Sequence, residues 1–258
     1  MKFDFHLVIV LIIFVSCNVE EAPFAPLEPT PEPPYGGTIF LDPDIITADD
    51  SSAFKSISAT GQGQRTIYDR RVNNWISINA HLFEAIYADG LSIEVQINPE
   101  FSYELASNEA LKYATSVGLL PTSLRLDVDA LWINKGEELF GGGNRSILIH
   151  TGQTINYERD GILEETLVHE ATHTSLDNPH ASHPDWLNAQ SKDANFISIY
   201  ARDNPNREDV AETYLLYLAL RYRSDRISAE LKNTILETIP NRIEYFDNVN
   251  LDMYPIVY

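Results

Sequence analysis

His169, Glu170 and His173 read H-E-x-x-H, a spacing at which two imidazoles and a carboxylate can serve one metal ion. On an α-helix, residues four apart stand one above the other, so both rings reach a single tetrahedral zinc (Zn2+) while Glu170 flanks it. The chemistry this arrangement supports is hydrolysis by metal-activated water. The competing reading is two surface histidines on an amphipathic helix.

The motif requires a helix, and residues 162–176 (ILEETLVHEATHTSL) supply one. Leu163, Leu167, Val168 and Ala171 recur at helical spacing, and Glu164 and Glu165 fall in the first turn, where the helix dipole favours negative charge. His169 and His173 lie off that apolar stripe, on a face shared with Glu165 and Thr166, where a cleft is expected.

A catalytic zinc takes three protein ligands and keeps a position for water. The metzincin completion would need Gly at 176 and His at 179, where this chain has Leu176 and Pro179. His180 and His183 sit in DNPHASHPDW, and its prolines predict a loop role or a place at the cleft rim. A better completion is NPNREDVAETY, where Asn204 can cap a helix, Pro205 suits its first turn, and Val210, Tyr214, Tyr217 and Leu218 continue it. Glu208 and Glu212 are then one turn apart on one face. Glu208 can bind the metal while Glu212 accepts a hydrogen bond from the far nitrogen of a ligating imidazole; the exchange of these two roles stays open. Asp209 points about 100° away. The plainer reading is that Glu208 and Asp209 only complement the helix dipole.

H-E-x-x-H followed by a helix bearing E-x-x-A-E (Glu208 to Glu212) resembles the gluzincin class of zincin metallopeptidases, with closest likeness to the anthrax lethal factor and Pro-Pro endopeptidase group. The resemblance spans residues 146–222. It implies His169, His173 and Glu208 as zinc ligands, Glu170 as general base, and a zincin-like α+β domain cleaving peptide bonds. That group usually has a more aromatic pair than Asp209-Val210 and a glycine at the Thr172 position. A tyrosine shortly before the third-ligand helix is typical, and Tyr200 in FISIYARDN resembles it as the oxyanion donor; Tyr214 is the alternative.

Upstream, alternation predicts strands at residues 66–69, 91–97 and 126–133, and helical periodicity predicts helices at 75–87 and 103–117, the latter stopped by Gly118. The fold class expected is α+β: a small mixed sheet, then a mainly helical C-terminal half, with the active-site helix between. Phe140-Gly-Gly-Gly-Asn144 leads into Ser146-Ile-Leu-Ile-His150, a glycine turn and strand that are candidates for the edge with which an extended substrate pairs. A plain hairpin turn explains them equally well. His150 reads as a satisfied polar residue. Trp186, Tyr200, His150 and Gly141 to Gly143 are candidates for shaping the pocket.

The chain has 258 residues and a net charge of −20, one domain's length and a balance that argues against nucleic acid. Residues 7–15 form an apolar run of signal-peptide length, and Phe14-Val15-Ser16-Cys17 resembles the lipobox of bacterial lipoproteins. Cys17, the only cysteine, is the expected lipid attachment. Residues 1–16 then form a cleaved signal, 17–37 a tether with six of the fourteen prolines between Pro23 and Pro34, and 38–258 the domain. These readings predict a zinc endopeptidase anchored at a bacterial envelope, acting on peptide or protein. A zinc-bearing, partner-binding lipoprotein or an amidohydrolase of the envelope are the alternatives.

Overall fold

The computed structural model describes residues 31–41 and 45–257; the signal peptide, Cys17 and residues 17–30 of the tether lie outside them. The compact unit begins at Pro31, and Tyr35 forms a parallel bridge with Ser198. Among the described residues, no helix is long and apolar enough to cross a membrane.

Six strands form one mixed sheet: β1 (Phe54–Asp69), β2 (Asn74–Tyr87), β3 (Ser92–Ile97), β4 (Ala130–Asn134), β5 (Gly141–Gly143) and β6 (Ser146–His150), in the order β1-β2-β3-β4-β6-β5. Helices α1 (Tyr103–Val117) and α2 (Thr122–Arg125) lie between β3 and β4; after β6 come α3 (Thr151–Asp160), α4 (Leu163–Ser175), α5 (Asp177–His180), α6 (Pro184–Lys192), α7 (Ile199–Asp203), α8 (Asp209–Tyr222), α9 (Ala229–Thr238) and α10 (Pro240–Asp247). The architecture is α+β, with the helices concentrated in the second half.

β3, β4 and β6 are parallel, and α1 makes the long connection that parallel neighbours require. β4 and β6 are buried along their whole length, as central parallel strands are, whereas β3 keeps the alternation of SIEVQI, with Ser92 exposed and Glu94 half-buried. Leu131, Ile133, Ile147 and Ile149 point into the main core with Leu167, Val168 and Ala171 of α4, each Leu, Ile or Val side chain contributing about 1.5–3 kcal/mol on burial. On the opposite face Ala130, Trp132 and Leu148 form a second apolar cluster with Ile67.

Two expectations are corrected here. Residues 75–87 are strand, not helix: β2 pairs with β1 from Phe54–Tyr87 to Asp69–Asn74 around the Arg70–Asn73 turn, and this long ladder outweighs an ambiguous apolar spacing. Residues 126–129 are not strand, because Leu126 caps α2 and β4 begins at Ala130. Gly118 ends α1 as expected, though at a helical φ of −62°; its reason is space, since a Cβ there would lie 2.7 Å from the Phe54 Cβ.

Candidate metal centre

The expected motif helix forms as α4, and its histidines are not surface residues: His169 is buried and His173 half-buried. The two Nε2 atoms lie 3.1 Å apart. Glu208 Oε2 closes a triangle with them, 3.5 Å from His169 Nε2 and 3.2 Å from His173 Nε2. A tetrahedral ion with bonds of about 2.0–2.1 Å needs ligand-to-ligand edges of about 3.3–3.4 Å, which these three atoms match. Glu208 Oε2 is buried and receives no well-formed hydrogen bond, the state of a carboxylate oxygen aimed at a cation. The cluster His169, His173, Glu208 can therefore hold a metal ion.

Glu208 arrives there by a route that differs from the expected one. Helix α8 starts at Asp209; residues 204–208 are a turn in which the Arg207 and Glu208 N–H groups donate to the Asn204 carbonyl. Asn204 thus closes the turn without capping the helix. Glu208 is the N-cap, and the Glu212 N–H donates to its carbonyl at 2.9 Å. α8 is buried almost all round, so its position is set by the core. Asp209 points away from the metal ligands, as its angle predicted, into a buried ion pair with Arg242 Nη1 at 2.5 Å.

The carboxylates behind the histidines are divided between two elements. Asp177 Oδ2 lies 2.7 Å from His173 Nδ1, a contact the sequence reading overlooked. Its signal was there: 169, 173 and 177 continue one helical face at intervals of four. Glu212, expected in that place, faces His169 Nδ1 at 3.9 Å, beyond hydrogen-bond length. Its Oε2 instead accepts from Ser198 Oγ at 3.1 Å and the Ile39 N–H at 3.3 Å. Glu165, expected on the cleft face, is buried under the N-terminal segment and accepts the Leu41 N–H at 2.6 Å. Residues just after the Pro-rich stretch therefore brace both ligand-bearing helices.

These charges leave a site that stabilises a cation. Burial disfavours a charged His173, but Asp177 and Glu208 outweigh it and push its pKa up to about 10. Burial raises the Glu208 carboxyl, while His169, His173 and Tyr200 more than reverse this and hold it well below the usual carboxylate range. Glu212, dominated by burial with Glu208 near it, is pushed up to about 7 against the pull of His169, Ser198 and the Ile39 amide.

The ligands open onto a cavity of about 360 Å³ whose walls include Glu170, Tyr200, Tyr157, Phe40 and Arg70. Tyr200 is partly exposed and interacts with Glu208; burial and that carboxylate push its hydroxyl up to about 12, so it is a proton donor at neutral pH. The other tyrosine considered, Tyr214, is fully buried, with its hydroxyl 3.6 Å from Met253 Sδ, and does not line the cavity.

One wall is β5. The triple glycine is itself the edge strand, antiparallel to β6; β6, put forward with it as an edge, lies inside the sheet between β4 and β5. The hairpin turn falls on Asn144 and Arg145, both with positive φ, a type I′ requirement. The Gly143 N–H donates to Thr174 Oγ1 at 2.8 Å, tying the edge strand to α4. Beyond β5 a second cavity of about 610 Å³ is floored by Gly141, Gly143 and Leu148 and walled by Tyr68, Trp75 and Trp132.

Several candidates lie elsewhere. Trp186 is buried in an aromatic cluster with Tyr245 and Phe246. His150 is buried, its Nδ1 2.9 Å from the Lys135 carbonyl oxygen. The segment of His180 and His183 forms two short helices in place of a loop: His183 caps α6, and His180 Nδ1 lies 2.7 Å from the Tyr245 hydroxyl. Both line a cavity separate from the metal site.

Comparison with family models, curated proteins and solved structures returns no match for this chain.

Proposed function

We propose that the protein is a zinc-dependent endopeptidase of gluzincin type, tethered at a bacterial envelope through Cys17. The observation that carries this reading is the His169, His173 and Glu208 triangle with Glu170 on the wall of the same cavity. Two imidazoles and one carboxylate suit zinc, which supplies Lewis-acid polarisation of a carbonyl and a water more acidic than bulk.

Glu170 takes the proton of the attacking water and returns it to the leaving amine. The Tyr200 hydroxyl donates to the oxygen that becomes negative at the attacked carbonyl, worth roughly 3 kcal/mol for one well-placed donor. Asp177 keeps His173 oriented with its Nε2 toward His169 Nε2 and Glu208 Oε2, the atoms that would hold the ion with it. The open edge of β5 offers backbone groups to an extended peptide, whose main chain is the part every peptide substrate shares.

The test combines metal analysis with turnover. Wild-type protein is expected to carry one zinc and to cleave peptides, whereas Glu170→Gln retains the zinc and loses cleavage. A Gln variant as active as wild type would sink the assignment. Zinc binding with turnover of peptidoglycan fragments and of no peptide would move the substrate to another envelope amide, and zinc binding without turnover would leave a partner-binding lipoprotein.

A further inference from the structure

In a chain with 38 acidic and 18 basic residues, cations find carboxylates easily. Every arginine but one lies within 3.7 Å of a carboxylate oxygen. The exception among the described residues is Arg70, whose guanidinium makes neither an ion pair nor a hydrogen bond. It is also half-buried, so it has given up part of its hydration without receiving an anion. An unpaired guanidinium so placed is better explained by a ligand than by stability.

Its position gives the ligand a path. Arg70 stands in the β1–β2 turn over the edge strand, where a Cβ on Gly141 would lie 2.9 Å from its Nη2. It lines the metal cavity and also the aromatic cavity beyond β5. Gly142, Gly143 and Arg207 are likewise common to both. Arg207 is largely exposed and lies 3.3 Å from Glu208 Oε1, the carboxylate oxygen turned from the histidines. A chain crossing β5 from one cavity to the other passes these two guanidiniums, which between them have one carboxylate partner.

We infer that Arg70, with Arg207 lining the same two cavities, forms an anion subsite that selects a peptide bearing a carboxylate next to the bond cut. Guanidinium is suited to this because its planar fork binds a carboxylate through two parallel hydrogen bonds. The carboxylate can belong to an Asp or Glu side chain or to the C-terminus of a short peptide. An acidic substrate approaches a protein of like charge, so this local pair of cations decides where it docks.

The inference rests on the hydrolase reading, and the experiment separates the two. Zinc-loaded full-length protein is given peptides differing only by Glu or Gln near the cut, each with a free or an amidated C-terminus. The Glu peptide is expected to have kcat/KM about ten- to hundredfold above its Gln twin, the range of one charge-assisted contact. Arg70→Gln brings that ratio near one, Arg70→Lys restores part of it, and Arg70→Glu turns the preference toward a Lys twin. If amidation alone abolishes the preference, the carboxylate is the C-terminal one. Binding of the same peptides to Glu170→Gln is followed by fluorescence anisotropy, with zinc content confirming that each variant is folded.

Cleavage without acidic preference, or a preference unchanged in Arg70→Gln, overturns the subsite and leaves the hydrolase standing. No cleavage by wild type, together with Arg70-dependent binding of the acidic peptide, removes the hydrolase and keeps the subsite. Equal binding of both twins in the absence of cleavage removes both.

Discussion

The carbonyl oxygen of Glu170 and the α-carbon of Gly142 are packed so closely that a Cβ at position 142 would lie 2.0 Å from that oxygen and 2.9 Å from the His173 Cβ. The edge strand of the sheet and the helix that carries His169 and His173 thus meet through a residue with no side chain. This contact sets how far the β5 backbone stands from Glu170, and both flank the cavity.

Gly142→Ala is therefore expected to push β5 off α4, because neither backbone can yield locally. Overpacking of this kind costs about 1–3 kcal/mol. The loss of cleavage should exceed what the loss of stability explains. Chemical denaturation together with kcat/KM checks this; an alanine variant with wild-type stability and activity would show that the strand can move freely.

Asp177→Asn should weaken metal binding by about 10- to 100-fold, the usual effect of losing the partner of a ligating imidazole. The 2.7 Å contact to His173 Nδ1 motivates it. Glu212→Gln should do less, since Glu212 stands 3.9 Å from His169 Nδ1. Competition with a zinc chelator measures both, and the reverse ranking would return Glu212 to the role the sequence assigned it.

Arg242 is fully buried between two carboxylates, with Nε 2.8 Å from Asp193 and Nη1 2.5 Å from Asp209, the residue next to Glu208. Arg242→Ala leaves both anions buried without their cation, a loss of about 3–5 kcal/mol. Arg242→Met, which keeps the volume, is not expected to rescue it. Urea unfolding followed by circular dichroism gives the size, and a change below 1 kcal/mol, roughly the scale of a surface pair, would refute the role assigned to this network.

Acid should weaken the ion pairs of Asp50. Burial raises the Asp50 carboxyl, but Arg226, the Thr47 amide and Arg223 outweigh it and lower its pKa to about 2. An unfolded Asp titrates near about 3.9, so the folded state holds the proton less tightly. The pair's stabilisation is complete above about pH 4 and is lost as pH falls toward 2. Thermal melts across that window should fall less steeply for Asp50→Asn than for wild type; parallel curves would rule the pair out as a contributor.

What could be read from the chain was what depends on near neighbours. His169, Glu170 and His173 needed only helical spacing and an apolar stripe to be placed on one helix, and α1 declared itself in the same way. Glu208 was reachable because two histidines demand a third ligand and because Asp209 points elsewhere on any helix. Asp177 was legible in principle as the next step of the same four-residue interval.

The remainder depended on partners distant in sequence. Residues 75–87 carry an apolar pattern that either period fits, and only pairing with β1 makes them a strand. The three glycines became an edge because β6 is held on its other side by β4, and Glu212 stands short of hydrogen-bond contact with the His169 imidazole, its other oxygen held by Ser198 and the Ile39 amide. Arg70 is separated by about a hundred residues from the histidines whose cavity it shares, and its lack of a carboxylate is visible only once every other arginine has found one. Local spacing determines which side chains can work together, because helix geometry is the same in every chain. Which carboxylate, which edge and which cation complete the site is decided by packing, because those distances exist only in the folded molecule.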